Sequence, residues 1–269
     1  LGLAALALAW WQLPLERATP PRTVRFDHLG TALLALSLTA YALAMTLQPG
    51  AWGTLNTGLL LAAGLGLATF AWVETRAAAP LLRLQTLRQP AVATGVAVNA
   101  LITTVVMATL VVGPFYLAGG LGLDAARMGL VMTTGPAVAA LTGAPAGKLV
   151  DQWGATRVTW AGLLLMLAGS AALPWASATW GALGYAATLA FITAGYASTQ
   201  AANNTAVMAS APADQRGLVS GLVNLSRNLG LITGASAMGA VYQWGNTATT
   251  QAGGLDALAG LGQRVARPG

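Results

Sequence analysis

The chain has 269 residues, 56% hydrophobic and only 7% charged, whereas soluble domains carry about 25% charged residues; so few charges cannot build a water-facing surface, and a soluble globular protein is excluded. The formal net charge is +6, but the 13 basic residues are spread along the chain, which reads as membrane topology and leaves no nucleic-acid footprint. With no cysteine and a single histidine, disulfides, thiolate nucleophiles and a histidine-built metal site have no basis.

A lipid-crossing helix needs about 20 mostly apolar residues, and the gaps between charged residues supply such stretches in order. Residues 1–13 are apolar with no basic segment before them, a poor fit to a signal peptide. They read as the end of a severed span, so the sequence is expected to be a fragment. A cytoplasmic linker at 14–27 carries Arg17, Arg22 and Arg25. Two spans within 28–73 form a hairpin with an uncharged QPGAWG tip, and a cytoplasmic loop at 74–90 carries Arg76, Arg83 and Arg88. Five further spans lie within 91–242, near 91–118, 128–147, 158–176, 181–209 and 217–242, with one break expected at 174–180. Residues 243–269 hold no long apolar stretch and are expected to form a non-spanning tail, with a short interfacial helix at 255–261 as the alternative. The expected fold is an all-α membrane protein of about seven transmembrane helices plus a partial one.

Alternate connections hold nine of the 13 basic residues, including Lys148, Arg157 and Arg216, whereas the opposite connections hold only Arg127. The positive-inside rule places the basic side in the cytoplasm, and a multi-pass chain of the inner (plasma) membrane is expected. Asp124, just ahead of a span, reads as a helix N-cap, and Asn56 with Thr57 reads as another.

Polar residues inside spans mark a pathway by default, because each is costly against lipid. In the last span Ser220, Asn224 and Arg227 are spaced i, i+4, i+7, and Arg227 lies about 15 Å along the helix from Gly217. Near mid-bilayer an arginine costs roughly +2.5 to +3.5 kcal/mol on insertion scales, so Arg227 is expected to be buried, paired or facing water. The alternative is a helix that begins near Leu222, with Arg227 snorkelling to the interface. Tyr196, Gln200 and Asn203 repeat the spacing one span earlier, and Asn99 with Thr103 forms a shorter set. These either line a substrate cleft or bond across helices as structural glue. All seven acids lie outside the inferred hydrocarbon zone, so if the whole protein is proton-driven, the protonatable acid is expected in the missing half.

Gly143-x-x-x-Gly147, Gly217-x-x-x-Gly221 and Gly230-x-x-x-Gly234 fit small-residue helix contacts, while Pro114, Pro136 and Pro145 are expected to bend their helices. Trp10, Trp11, Trp52, Trp153, Trp175, Trp180 and Trp244 read as interfacial anchors. The sharpest local pattern is GKLVDQWGATR between two spans, with Gly147, Lys148, Asp151, Gly154 and Arg157. It reads as a cytoplasmic loop able to latch one conformation of a moving bundle, or as simple positive-inside anchoring with Asp151 capping a turn.

That loop resembles the signature loop of the major facilitator superfamily in its second-half copy. FDHLGTALLALSL, PLLRLQTLRQP, GPFYLAGGLGLDAARMGLVM and APADQRGLVSGLVNLSRNLGLITGA follow in the order of landmarks in its fourteen-span drug:proton antiporter branch. The resemblance implies a major-facilitator-type bundle of two six-helix halves plus two extra spans, here 28–73, with this chain lacking most of the N-terminal half. It further implies a monomeric secondary transporter that exports small amphipathic or cationic compounds by alternating access, driven by the proton gradient and without a cofactor. Gln152 stands where that loop usually has a basic residue. A reading of another class is an inactive truncated remnant or membrane scaffold. An enzyme is not expected, since no histidine–cysteine or carboxylate pair is available for catalysis.

Overall fold

The computed structural model describes residues 10–11, 27–47, 53–76 and 84–265, without the side chains of 84–85 and 242–265. The expectations for residues 1–9, most of the 14–27 linker, the hairpin tip with Trp52, residues 77–83 and the side chain of Trp244 lie outside the described residues. Among the described residues every element is helical.

Asp27 precedes an apolar run and caps α1 (His28–Thr46), its carboxylate accepting the Gly30 N–H at 2.8 Å. Helix α2 (Thr54–Glu74) begins after Gly53, which takes the cap position expected of Asn56. Asn56 instead lies within the helix, buried, and its amide donates to the Ala44 carbonyl at 2.8 Å. Ala44 is in the last turn of α1, where carbonyls lack helical partners; satisfying one of them across the hairpin outweighs a local cap. At the other end of the hairpin Glu74 is only 3% exposed. It packs beside Asp27 over Gly30, where any side chain would collide with the Asp27 carboxylate. The carboxylate of Glu74 thus sits at the last residue of a span, but shielded.

A short helix α3 (Leu84–Leu87) is tied to the turn Ala213–Gln215 by a hydrogen bond from the Thr86 hydroxyl to the Gln215 side-chain oxygen. Helix α4 (Pro90–Phe115) opens on proline, whose missing N–H is one of the unpaired donors of a first turn. Pro114 lies at its far end, and the chain continues in a π-helical turn, Tyr116–Gly120. Proline lacks a donor and crowds the preceding turn, and the wider turn begins two residues later. Pro136 and Pro145 lie inside α5 (Ala125–Trp153) without breaking its helical assignment, and Asp124 caps that helix by accepting the Arg127 N–H at 2.8 Å.

Only Gly154 separates α5 from α6 (Ala155–Ser210). The pattern GKLVDQWGATR is therefore not a loop but two helix ends and one residue with φ 82°, a conformation glycine adopts without a Cβ penalty. Helix α6 is folded on itself at Gly181 (φ 57°, ψ −132°), directly after the break expected at 174–180. Its limbs pack as an antiparallel hairpin with backbones nearly touching. A Cβ on Gly162 would stand 2.7 Å from the Gly195 carbonyl oxygen, and one on Gly169 3.1 Å from the Ile192 nitrogen. Helix α7 (Arg216–Val265) runs past residue 242, so the 243–265 stretch is helical.

Among the described residues four stretches are long and apolar enough to cross a bilayer: α1, α2, α4 with its π turn, and α6, whose length covers both limbs. In α5 and α7, glycine, proline, asparagine and arginine dilute the apolar content. Helix α4 is the centre of the bundle, packing extensively on α7 and also on α6, while α5 packs on α6. The α1–α2 hairpin docks on α7 through a Tyr41–Thr233 hydroxyl pair and the Ser236 hydroxyl, which donates to the Met45 carbonyl at 2.6 Å.

The spacing of small residues makes a direct prediction. Gly195→Leu should lower the thermal unfolding midpoint in detergent, by the equivalent of about 1–3 kcal/mol or more, because the limbs cannot separate without losing their contacts. Gly221→Leu, at a position with open space around it, should leave that midpoint unchanged.

Candidate functional site

Helix α7 has two contrasting faces. Val219, Val223, Ser226, Gly230 and Gly234 are buried. Gly230 and Gly234 lie so close to α4 that a Cβ on either would collide with the carbonyl of Ala100 or Thr104. Of the three glycine pairs read as helix contacts, this one is packed. Gly143, Gly147, Gly217 and Gly221 have nothing within 4 Å of a Cβ position, since they lie on faces that none of the described residues covers.

Opposite the packed face, Asn224, Arg227 and Asn228 are exposed and Ser220 is half-buried. The helix begins at Arg216 and not near Leu222, so Arg227 is about 16 Å along it. Arg227 is neither buried nor ion-paired among the described residues. Among the described residues Asn224 donates only to the Ser220 carbonyl one turn back, at 3.2 Å. Asn228 joins this face and was not singled out in the sequence, although it is adjacent to Arg227.

The other intramembrane polar residues divide. Asn99 is fully buried, and its amide donates to the Val223 carbonyl at 2.8 Å and the Ser226 hydroxyl at 3.0 Å. Asn203 is buried and donates to the Gly95 carbonyl at 2.9 Å. Each crosses to a neighbouring helix, so both hold α4 in place between α6 and α7. Tyr196 and Gln200 are half-buried with no hydrogen bond to the α7 set among the described residues. The i, i+4, i+7 repeat that grouped them with Asn203 is real on the helix, but the three residues meet different surroundings.

At the α5–α6 turn Lys148, Asp151, Gly154 and Arg157 are exposed, and Gly147 is half-buried. Val150 and Val158 pack with Ala202 beneath them. Asp151 makes no ion pair among the described residues. The charges therefore stand on rigid helix ends and face outward. Trp153, Trp175 and Trp180 are exposed, the last two in edge-to-face contact at 6.0 Å. At the end of α2 the Arg76 guanidinium lies 3.9 Å above the Trp72 ring, a charged and aromatic pair suited to a membrane interface. Among the described residues no cluster of potential metal ligands occurs.

Long apolar helices and small-residue packing are features of a helical membrane protein. The sequence profile of the Major Facilitator Superfamily matches residues 1–235, and the chain belongs to that superfamily, a transporter and not an enzyme family. It is similar to the multidrug resistance protein Stp of Mycobacterium tuberculosis, 26% identical over 90% of this chain and 45% of that protein. It is also similar to the uncharacterized transporter YebQ of Escherichia coli, 28% identical over 93% of this chain and 55% of that one. The chain thus spans about half the length of these relatives.

Asn99→Leu should weaken the α4–α7 contact by about 1 kcal/mol, the usual scale for one interhelical hydrogen bond in a membrane. Asn224→Leu should leave unfolding in mixed micelles unchanged, because Asn224 contacts no other helix through its amide.

Proposed function

We propose that the chain is the C-terminal portion of a secondary active efflux transporter that exports small amphipathic or cationic compounds in exchange for protons. The observation that carries this reading is the exposed face Ser220–Asn224–Arg227–Asn228 on a helix whose other face is fully engaged. Left against hydrocarbon, Arg227 alone would cost roughly 2.5–3.5 kcal/mol. The face is accounted for if it borders a water-filled pathway or a carboxylate on the rest of the transporter. The relatives are about twice as long as this chain, which leaves room for such a second wall.

In this reading Arg227 is the counter-charge for an acid that carries the coupling proton, and Asn224, Ser220, Tyr196 and Gln200 contact substrate. Asn99 and Asn203 support the wall without facing the pathway. The proton gradient supplies the energy, no cofactor is needed, and the working unit is a monomer in the inner (plasma) membrane. Lys148, Asp151 and Arg157 offer charges at the α5–α6 turn to a partner helix end in one of two conformations. The resemblance of the chain to a protein named for multidrug resistance supports a drug-like substrate.

The test is efflux of a fluorescent cation from cells or proteoliposomes under an imposed proton gradient. A protonophore should abolish it, and Arg227→Ala should reduce it by about tenfold or more while membrane expression stays normal. Full transport by Arg227→Ala would remove that residue from the mechanism. Asp151→Asn should slow the exchange between inward and outward states, read by single-molecule distance changes, with substrate affinity unchanged within about twofold.

A further inference from the structure

At the end of the bundle away from the α5–α6 turn, α4 and the two limbs of α6 border a half-open cavity of about 200 Å³. Val112, Tyr116, Leu173, Pro174, Ser177 and Tyr185 line it. Its two best-buried hydroxyls are already engaged within the protein. Tyr185 donates to the Thr109 carbonyl at 3.4 Å, and Ser177 donates to the Pro174 carbonyl at 3.1 Å. The cavity wall is therefore almost wholly carbon. A buried water needs two to four polar partners, and an engineered apolar cavity of about 150 Å³ stays dry and takes up benzene.

Three local features make this space. The π turn Tyr116–Gly120 swings the Tyr116 ring toward Tyr185, and the two rings stack at 6.1 Å with planes 24° apart. Gly113 leaves room for the Tyr185 hydroxyl, since a Cβ there would collide with it and come within 3.0 Å of the Met132 sulfur. Pro174 is exposed along with Trp175, while Ser177 and Tyr185 are buried, so the cavity opens past Pro174 and closes at Tyr185. An opening edged by an exposed proline suits entry from lipid.

The geometry points to a binding site for an uncharged aromatic group of one or two rings, which enters past Pro174 and extends the Tyr116–Tyr185 stack. A flat ring gains offset contact with a tyrosine face beyond simple burial, which a saturated chain does not. No residue of this site belongs to the polar face of α7. The site holds whether or not the transport reading does, and binding and efflux are measured separately.

The experiment uses the protein in lipid nanodiscs and a phenyl-diazirine photoprobe, with labelled peptides mapped by mass spectrometry. Labelling of the segments around Tyr116 and Tyr185 should saturate, and an excess of naphthalene should displace it whereas an excess of palmitate should not. Val112→Phe, which fills the cavity, should cut that labelling by about tenfold. Leu141→Phe, on an exposed face, should leave it unchanged. Should Val112→Phe fail to fold, Leu173→Phe offers a second filled cavity, and the displacement experiment on the unaltered protein stands by itself. Labelling that never saturates, that palmitate displaces equally well, or that survives a folded filled-cavity variant would overturn the proposal.

Discussion

In lipid, helices gain nothing from hydrophobic burial against one another, so they associate through close contact and bonds between helices. That constraint explains where this chain puts its glycines and asparagines. The limbs of α6 meet at Gly162, Gly169, Gly184 and Gly195, close enough for backbone to touch backbone. Helix α4 is gripped on both sides by the same means, with Gly230 and Gly234 of α7 against its carbonyls and Asn99 and Asn203 bonded across. Apolar bulk is secondary: many large leucines, such as Leu36, Leu130 and Leu141, point outward, as expected where the solvent is itself apolar.

The same constraint makes the free face of α7 informative. A residue that helps bind helices together is recognisable by where its amide goes, and Asn99 and Asn203 each reach a neighbour's backbone. Asn224 reaches only its own helix, and Arg227 reaches no acid among the described residues. Both kinds of residue look alike in sequence, because helical spacing reports which residues share a face and not what lies opposite. Gly217 and Gly221 follow the same logic, since a small-residue motif marks a possible contact and the contact needs a partner surface.

Much of the helical layout was legible because it depends on local quantities. Apolar stretches between charges place the helices, and Asp124 announces α5 by ordinary capping chemistry. The reversal near 174–180 was visible from composition, although the residue that performs it is Gly181, the next glycine along. What escaped the sequence was whatever depends on a distant partner. Asn56 looked like a cap and is a cross-hairpin bond; Glu74, one of the acids placed outside the hydrocarbon zone, is shielded beside Asp27. The cavity beside Tyr185 could not have been read at all, since it is formed by residues about 60–75 positions apart.

The turn at Gly154 limits how the charged motif around it can work. A flexible loop could rearrange its own charges to latch one state, but here one glycine joins two helices and Val150 and Val158 pack with Ala202 directly beneath. Moving Asp151 relative to Arg157 would require breaking that cluster or unwinding a helix end. The cheaper motion is for α5 and α6 to travel as one body and present Lys148, Asp151 and Arg157 together to whatever they face. Any latch at this end of the bundle is therefore made between rigid units, and its strength is set by what those exposed charges meet across the gap, not by the conformation of the turn itself.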